Sequence, residues 1–145
     1  MKAVFVLLFS LCLPAQAMAD PLEVFGVWLT AAKDGYVEIR DCGDGTPCGT
    51  LVRIVPTGTN TELDARNRDP SLRQRKLIGT PIVWGFKQTS KKWQHGSIYN
   101  PNDGKTFAAS LERRDDGTLK VRGCLGPICR TNIWERVDAL PAEEG

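Results

Sequence analysis

The pattern that most restricts this chain is a two-residue alternation of apolar and polar side chains, which recurs in about eight short segments and never gives way to a long helical period. Tyr36-Val37-Glu38-Ile39-Arg40 follows an Asp34-Gly35 turn and sends successive side chains to opposite faces, as a half-buried strand requires. Val24–Thr30, Leu51–Val55, Ile82–Gln88, Trp93–Tyr99, Lys105–Glu112, Thr118–Arg122 and Arg130–Arg136 read the same way. Asp103-Gly104 and Asp116-Gly117 supply the positive-φ positions that hairpin turns need. Between Lys105–Glu112 and Thr118–Arg122, Phe107, Ala109, Leu111, Leu119 and Val121 share one face, while Thr106, Ser110, Lys120 and Arg122 share the other. One face is therefore expected to be buried and the other wet. Sequential antiparallel strands of this kind suit a single all-β domain, an eight-stranded antiparallel up-and-down β-barrel with little helix, which leaves no exposed sheet edge. A β-sandwich is the alternative.

The N-terminus belongs to a different category. Met1-Lys2, a predominantly apolar run from Ala3 to Leu13, Pro14, and the small-x-small sites Ala15-Gln16-Ala17 and Ala17-Met18-Ala19 are organised as a secretory signal peptide. The run is too short for the roughly 20 residues of a membrane-spanning helix. A lipid anchor at Cys12 would need a small residue before it, and Leu11 stands there. The expected organisation is a signal peptide at 1–19, a barrel at 20–137 and a disordered tail at 138–145, with the mature protein periplasmic or secreted. The 19 Lys+Arg and 17 Asp+Glu residues nearly cancel. That balance argues against a nucleic-acid binder, whose affinity comes from concentrated positive charge.

Removing Cys12 with the signal peptide leaves four cysteines. Cys42 and Cys48 bracket Gly43-Asp44-Gly45-Thr46-Pro47, and Cys124 and Cys129 bracket Leu125-Gly126-Pro127-Ile128. Three pairings are possible. The local one, Cys42–Cys48 with Cys124–Cys129, is preferred because closing each hairpin brings its flanks to disulfide distance. Thiolate zinc sites usually space paired ligands by two to four residues, and an exported chain favours disulfides. No metal or other cofactor is expected.

The one long connection, Pro56 to Lys76, exceeds the roughly 12–15 residues common for loops without secondary structure. Its second half holds Arg66, Arg68, Arg73, Arg75 and Lys76. Over a barrel mouth, Arg73 and Arg75 could meet an anionic ligand through bidentate hydrogen bonds. The competing reading is a solvated loop whose arginines pair with Asp64, Asp69 or Glu62, with Asp64-x-x-Asn67 capping a local turn.

Gly26-Val27-Trp28 near the start and Asn132-Ile133-Trp134-Glu135-Arg136 near the end resemble the lipocalin/calycin pattern. In that pattern a G-x-W tryptophan on the first strand packs under a basic residue from the last strand to close the barrel. The resemblance makes Trp28 the closure residue, with Arg130 and Arg136 as the candidates for its basic partner. From Gly26 to Arg136 the chain also resembles the bacterial domain-of-unknown-function family 2147. The likeness rests on Gly26-x-Trp28-Leu29-Thr30, Cys42-Gly43-Asp44, Cys48-Gly49, Asp64-x-x-Asn67, Leu72-Arg73-x-Arg75-x-Leu77-x-Gly79, Gly96-Ser97-Ile98-Tyr99-Asn100-Pro101 and Val121-Arg122-Gly123-Cys124. It implies a calycin-like barrel and export, and carries over no reaction, cofactor or ligand.

Catalytic candidates are sparse. His95 is the single histidine, without a nucleophile or metal partner at any recognisable spacing, and no G-x-S-x-G, H-E-x-x-H or P-loop pattern occurs. The functional expectation is a non-enzymatic module holding a small amphipathic or anionic molecule, with Trp84, Tyr99 and Phe107 lining the interior and Arg73 and Arg75 near the mouth. The alternative is a filled barrel that presents its loops to a protein of the cell envelope.

Overall fold

The structure is a computed structural model that describes residues 20–58 and 61–142. The expected signal peptide at 1–19 and the last residues of the expected tail lie outside the described residues. The strands are β1 (Gly26–Leu29), β2 (Gly35–Asp41), β3 (Pro47–Ile54), β4 (Pro81–Trp84), β5 (Lys87–Gln88), β6 (Trp93–Asn100), β7 (Lys105–Arg113), β8 (Leu119–Leu125) and β9 (Ile128–Val137). Their order in the sheet is β4-β3-β2-β1-β9-β8-β7-β6-β5, and an additional pairing of β4 with β6 closes the ring. Since β4 and β5 both pair with β6, they are two pieces of one stave, interrupted where Gly85 takes a φ of 77°. The result is a closed, eight-stave, antiparallel up-and-down barrel, which disposes of the sandwich. Among the described residues the one helical element is a 3-10 turn at Pro70–Leu72, capped by the Asp69 carboxylate.

Alternation dictates what is buried. Val37, Ile39, Leu111, Leu119 and Val121 are at most 1% exposed, and Trp93 and Phe86 join them in one core. Burying each side chain of this size is worth roughly 1.5–3 kcal/mol. The strands outrun their expected limits at both cysteine pairs. Pairing continues through Arg40↔Cys48, Cys124↔Cys129 and Leu125↔Ile128, so each disulfide staples the end of a ladder. Both pairings are the local ones, Cys42–Cys48 with Cα atoms 5.3 Å apart and Cys124–Cys129 at 4.0 Å. At the hairpin turns Gly104 and Gly117 take the expected positive φ, 68° and 85°; the Asp103 carboxylate also accepts from the Lys105 amide at 3.0 Å and that of Asp116 from the Thr118 amide at 2.9 Å.

The two ends of the barrel differ. At one end the segment before β1 lies across the opening, tied down by Trp28 Nε1 donating to the Val24 carbonyl, Trp93 Nε1 to that of Leu22, and the Arg113 amide to that of Pro21, at 2.8–2.9 Å. Trp28 is fully buried there, with the Arg136 guanidinium 5.5 Å and that of Arg113 5.0 Å from its ring. Of the two candidates for its basic partner, Arg130 and Arg136, it is Arg136 that takes the place. Arg130 and Arg136 are both on the inner face of β9, but six residues of strand separate them by about 20 Å. The second partner is instead Arg113, at the end of β7. Burial, reinforced by the like charge of Arg136, depresses the Arg113 pKa below the usual guanidinium value. After β9 the chain forms no further strand through residue 142, and the Pro141 carbonyl accepts a hydrogen bond from Arg53.

Candidate functional site

At the opposite end the β1–β2, β6–β7 and β8–β9 turns surround an open mouth, and a cavity of about 500 Å³ runs from it down to Trp134. Its walls are largely apolar, formed by Val37, Leu51, Ile82, Ile98, Phe107 and Val121. Asp34, Asn100, Asn102, Lys105, Arg130 and Asn132 add polar groups toward the rim. Of two interiors compatible with the sequence, filled or hollow, the chain has the hollow one. Gly123 on β8 contributes to the space: a Cβ there would meet only Ile98 and Phe107, at 3.5 and 3.6 Å.

The expected ligand residues divide. Phe107 pairs with Ile98, and both border the cavity from the inner face. Tyr99 pairs with Thr106 and Trp84 with Ser97. Opposed residues in a ladder share a face, and Val83↔Ile98 is an inner pair, so Trp84 and Tyr99 fall on the outer one. Trp84 therefore does not border the cavity, and Tyr99 borders it while directing its hydroxyl elsewhere.

That hydroxyl reaches Asp64, in the long connection between β3 and β4. Asp64 is 1% exposed. One of its oxygens accepts from Tyr99 Oη; the other accepts from Asn67 Nδ2 at 2.7 Å and from Arg75 Nε at 2.8 Å. The Arg75 guanidinium also lies 5.6 Å from the Tyr99 ring centre. Arg73 Nε donates to the Asn67 carbonyl at 2.8 Å. A buried carboxylate must be paired and hydrogen-bonded, and Arg75 and Tyr99 do this for Asp64. Arg73 thus braces the connection internally, Arg75 helps fasten it to Tyr99 on the outside of β6, and neither borders the cavity. Burial, and next the hydrogen bond to Asp64, push the Tyr99 phenol up to about 12. The connection also crosses the β6–β7 turn so closely that a Cβ on Gly104, whose φ is 68°, would sit 1.8 Å from the Arg66 carbonyl oxygen. Glycine is required there twice over.

The cations at the mouth are Lys105 and Arg130. Lys105 reads as a solvated strand-end charge, yet it borders the cavity, as does Arg130. Alternation could have found both: Arg130 and Asn132 share a face with Trp134, and Lys105 with Phe107 and Ala109. His95 is exposed, at a φ of 58° beside a register shift in β6. No group of three or more His, Cys, Asp or Glu residues able to hold a metal occurs among the described residues. Nor is any helix there long and apolar enough to cross a membrane.

Two comparisons bear on this arrangement. A family model described as "uncharacterized protein conserved in bacteria (DUF2147)" matches residues 26–136. Among solved structures, the chain is similar to protein HP1028 from the human pathogen Helicobacter pylori, described as belonging to the lipocalin family. The TM-score is 0.67 with 23% sequence identity, covering 81% of this chain and 84% of the other. A comparison with curated proteins found no match.

Proposed function

The chain belongs to the DUF2147 family of bacterial proteins, and on that premise we propose that it is a carrier, an exported and non-enzymatic barrel that holds one small amphipathic or anionic molecule. The observation that carries this reading is the interior of about 500 Å³, apolar in its walls, polar at its rim, open at one end and stoppered at the other. Small-molecule pockets occupy roughly 300–1,000 Å³ and combine apolar linings with a few orienting polar groups. An eight-stranded barrel is wide enough for one such ligand. Export is supported by the organisation of residues 1–19 and by two disulfides, which persist in oxidising compartments. The carrier therefore works in the periplasm or outside the cell and needs no cofactor. Leu125 and Ile128, 56% and 72% exposed, belong to the rim of the cavity, which favours the carrier over a filled barrel with a protein-docking patch.

Titration with N-phenyl-1-naphthylamine, a neutral dye that brightens in apolar surroundings, tests the reading. The protein is expected to give saturable, one-to-one enhancement. Gly123→Leu, which extends a side chain into the cavity from a position with room for its Cβ, is expected to abolish the enhancement with circular dichroism unchanged. Enhancement that never saturates, or that survives Gly123→Leu intact, contradicts a binding interior.

A further inference from the structure

Beside the mouth lies a second, smaller recess of about 180 Å³, bounded by Arg68, Lys105, Thr106 and Leu125. Two of these four, Lys105 and Leu125, also border the main cavity, so the two spaces share a wall. By alternation Lys105 faces into the barrel and Thr106 away from it, which makes the recess straddle the rim. Arg68 reaches it from the long connection, which is held in place by the Asp64 network.

The cations here stand outside every ion pair of the described residues. Neither Arg68, Lys105 nor Arg130 has a hydrogen-bond or ion-pair partner for its side chain among the described residues. The carboxylates of this end of the chain are held by neutral donors, so they keep their charge while leaving the cations' own donor groups unoccupied. Asp34 accepts from Thr30 Oγ1 at 2.6 Å and Asn102 Nδ2 at 2.5 Å, Asp103 accepts from the Lys105 amide, and Asp69 from Ser71. Arg73 and Arg75, by contrast, are committed to Asn67 and Asp64. Arg68, Lys105 and Thr106 bound one small recess, and guanidinium, ammonium and hydroxyl are donor types that suit an oxyanion, with charge-assisted hydrogen bonds the stronger kind.

We propose that this recess seats the oxyanion head of an amphiphile whose apolar body lies in the cavity, with Arg68 and Lys105 as the principal head-group residues, Thr106 as a further donor and Arg130 adding positive charge at the mouth. The proposal rests on the carrier reading and narrows it: the ligand carries an anionic oxygen head, carboxylate or phosphate, at one end of a single apolar chain or ring system.

Displacement of the naphthylamine dye separates the two claims. The competitors are decyl phosphate, decanol and inorganic phosphate, each used with the unaltered protein and with the double variant Arg68→Ala, Lys105→Ala. Decyl phosphate is expected to compete at least about tenfold more strongly than decanol. The double variant is expected to erase that advantage, read as the ratio of decyl phosphate to decanol competition so that any change in dye affinity from losing Lys105 at the cavity wall cancels, and inorganic phosphate alone is expected not to displace the dye. Equal competition by decyl phosphate and decanol, unaltered in the double variant, overturns the head-group assignment and leaves the carrier reading standing. Displacement by inorganic phosphate as strong as by decyl phosphate also overturns it, since the head alone would then be the ligand. Failure of the dye to bind the unaltered protein saturably, or dye binding that survives Gly123→Leu, removes the carrier reading itself.

Discussion

At the scale of single residues, the side chains that look most like ligand hooks turn out to hold the fold, while quieter ones face the cavity. Asp64, Asn67, Arg75 and Tyr99 form one satisfied buried network, and its clearest signature is alkaline. The Tyr99 phenol titrates near 10 in an unfolded chain and about 12 here. Its contribution to stability is therefore complete below pH 10 and is lost as the pH rises toward 12. In urea unfolding followed between pH 9 and 12, Tyr99→Phe is expected to flatten part of that decline; identical slopes for both proteins would contradict the assignment. The closed end makes an equally local prediction. Arg136, against the Trp28 ring, is expected to cost about 0.5–2 kcal/mol on replacement by alanine. Arg130→Ala is expected to stay within roughly 0.5 kcal/mol, as exposed substitutions do. Equal losses in thermal or urea unfolding would return Arg130 to the barrel floor.

Among the elements, the strands were readable because period-two burial is a property of consecutive residues, whereas the site was readable only in part because it is assembled across strands. Phe107 was legible through its own hairpin: its partners Ala109, Leu111, Leu119 and Val121 stand beside it in the sequence. Trp84 and Tyr99 were not, since their faces depend on a break at Gly85 and a register shift before Gly96 that no local pattern announces. The arginines of the long connection were misplaced for a related reason, because charge density in a sequence does not show which cations a buried carboxylate has already claimed. The two staples give a prediction at this scale. Replacing either cysteine pair by serine is expected to destabilise the barrel by about 2 kcal/mol, as closure of such short loops implies. Only the Cys124→Ser, Cys129→Ser protein should also lose dye affinity, because that pair braces the hairpin carrying Leu125 and Ile128 at the mouth. Dye binding lost equally from both pairs would mean that the staples act on the barrel as a whole.

For the whole molecule, the closed sheet explains both halves of the design. With the sheet closed among the described residues and one end stoppered by the N-terminal segment, Trp28, Trp93 and Phe86 fill the closed end of the core. The mouth half keeps buried side chains in its walls and remains hollow between them. The central claim is that this hollow is occupied in the cell, and native mass spectrometry of protein recovered from the periplasm tests it most directly. The expected result is a complex heavier than the processed polypeptide by one small molecule, released on denaturation and missing from Gly123→Leu protein prepared in parallel. Bare polypeptide in both preparations, or the same added mass in both, would contradict it.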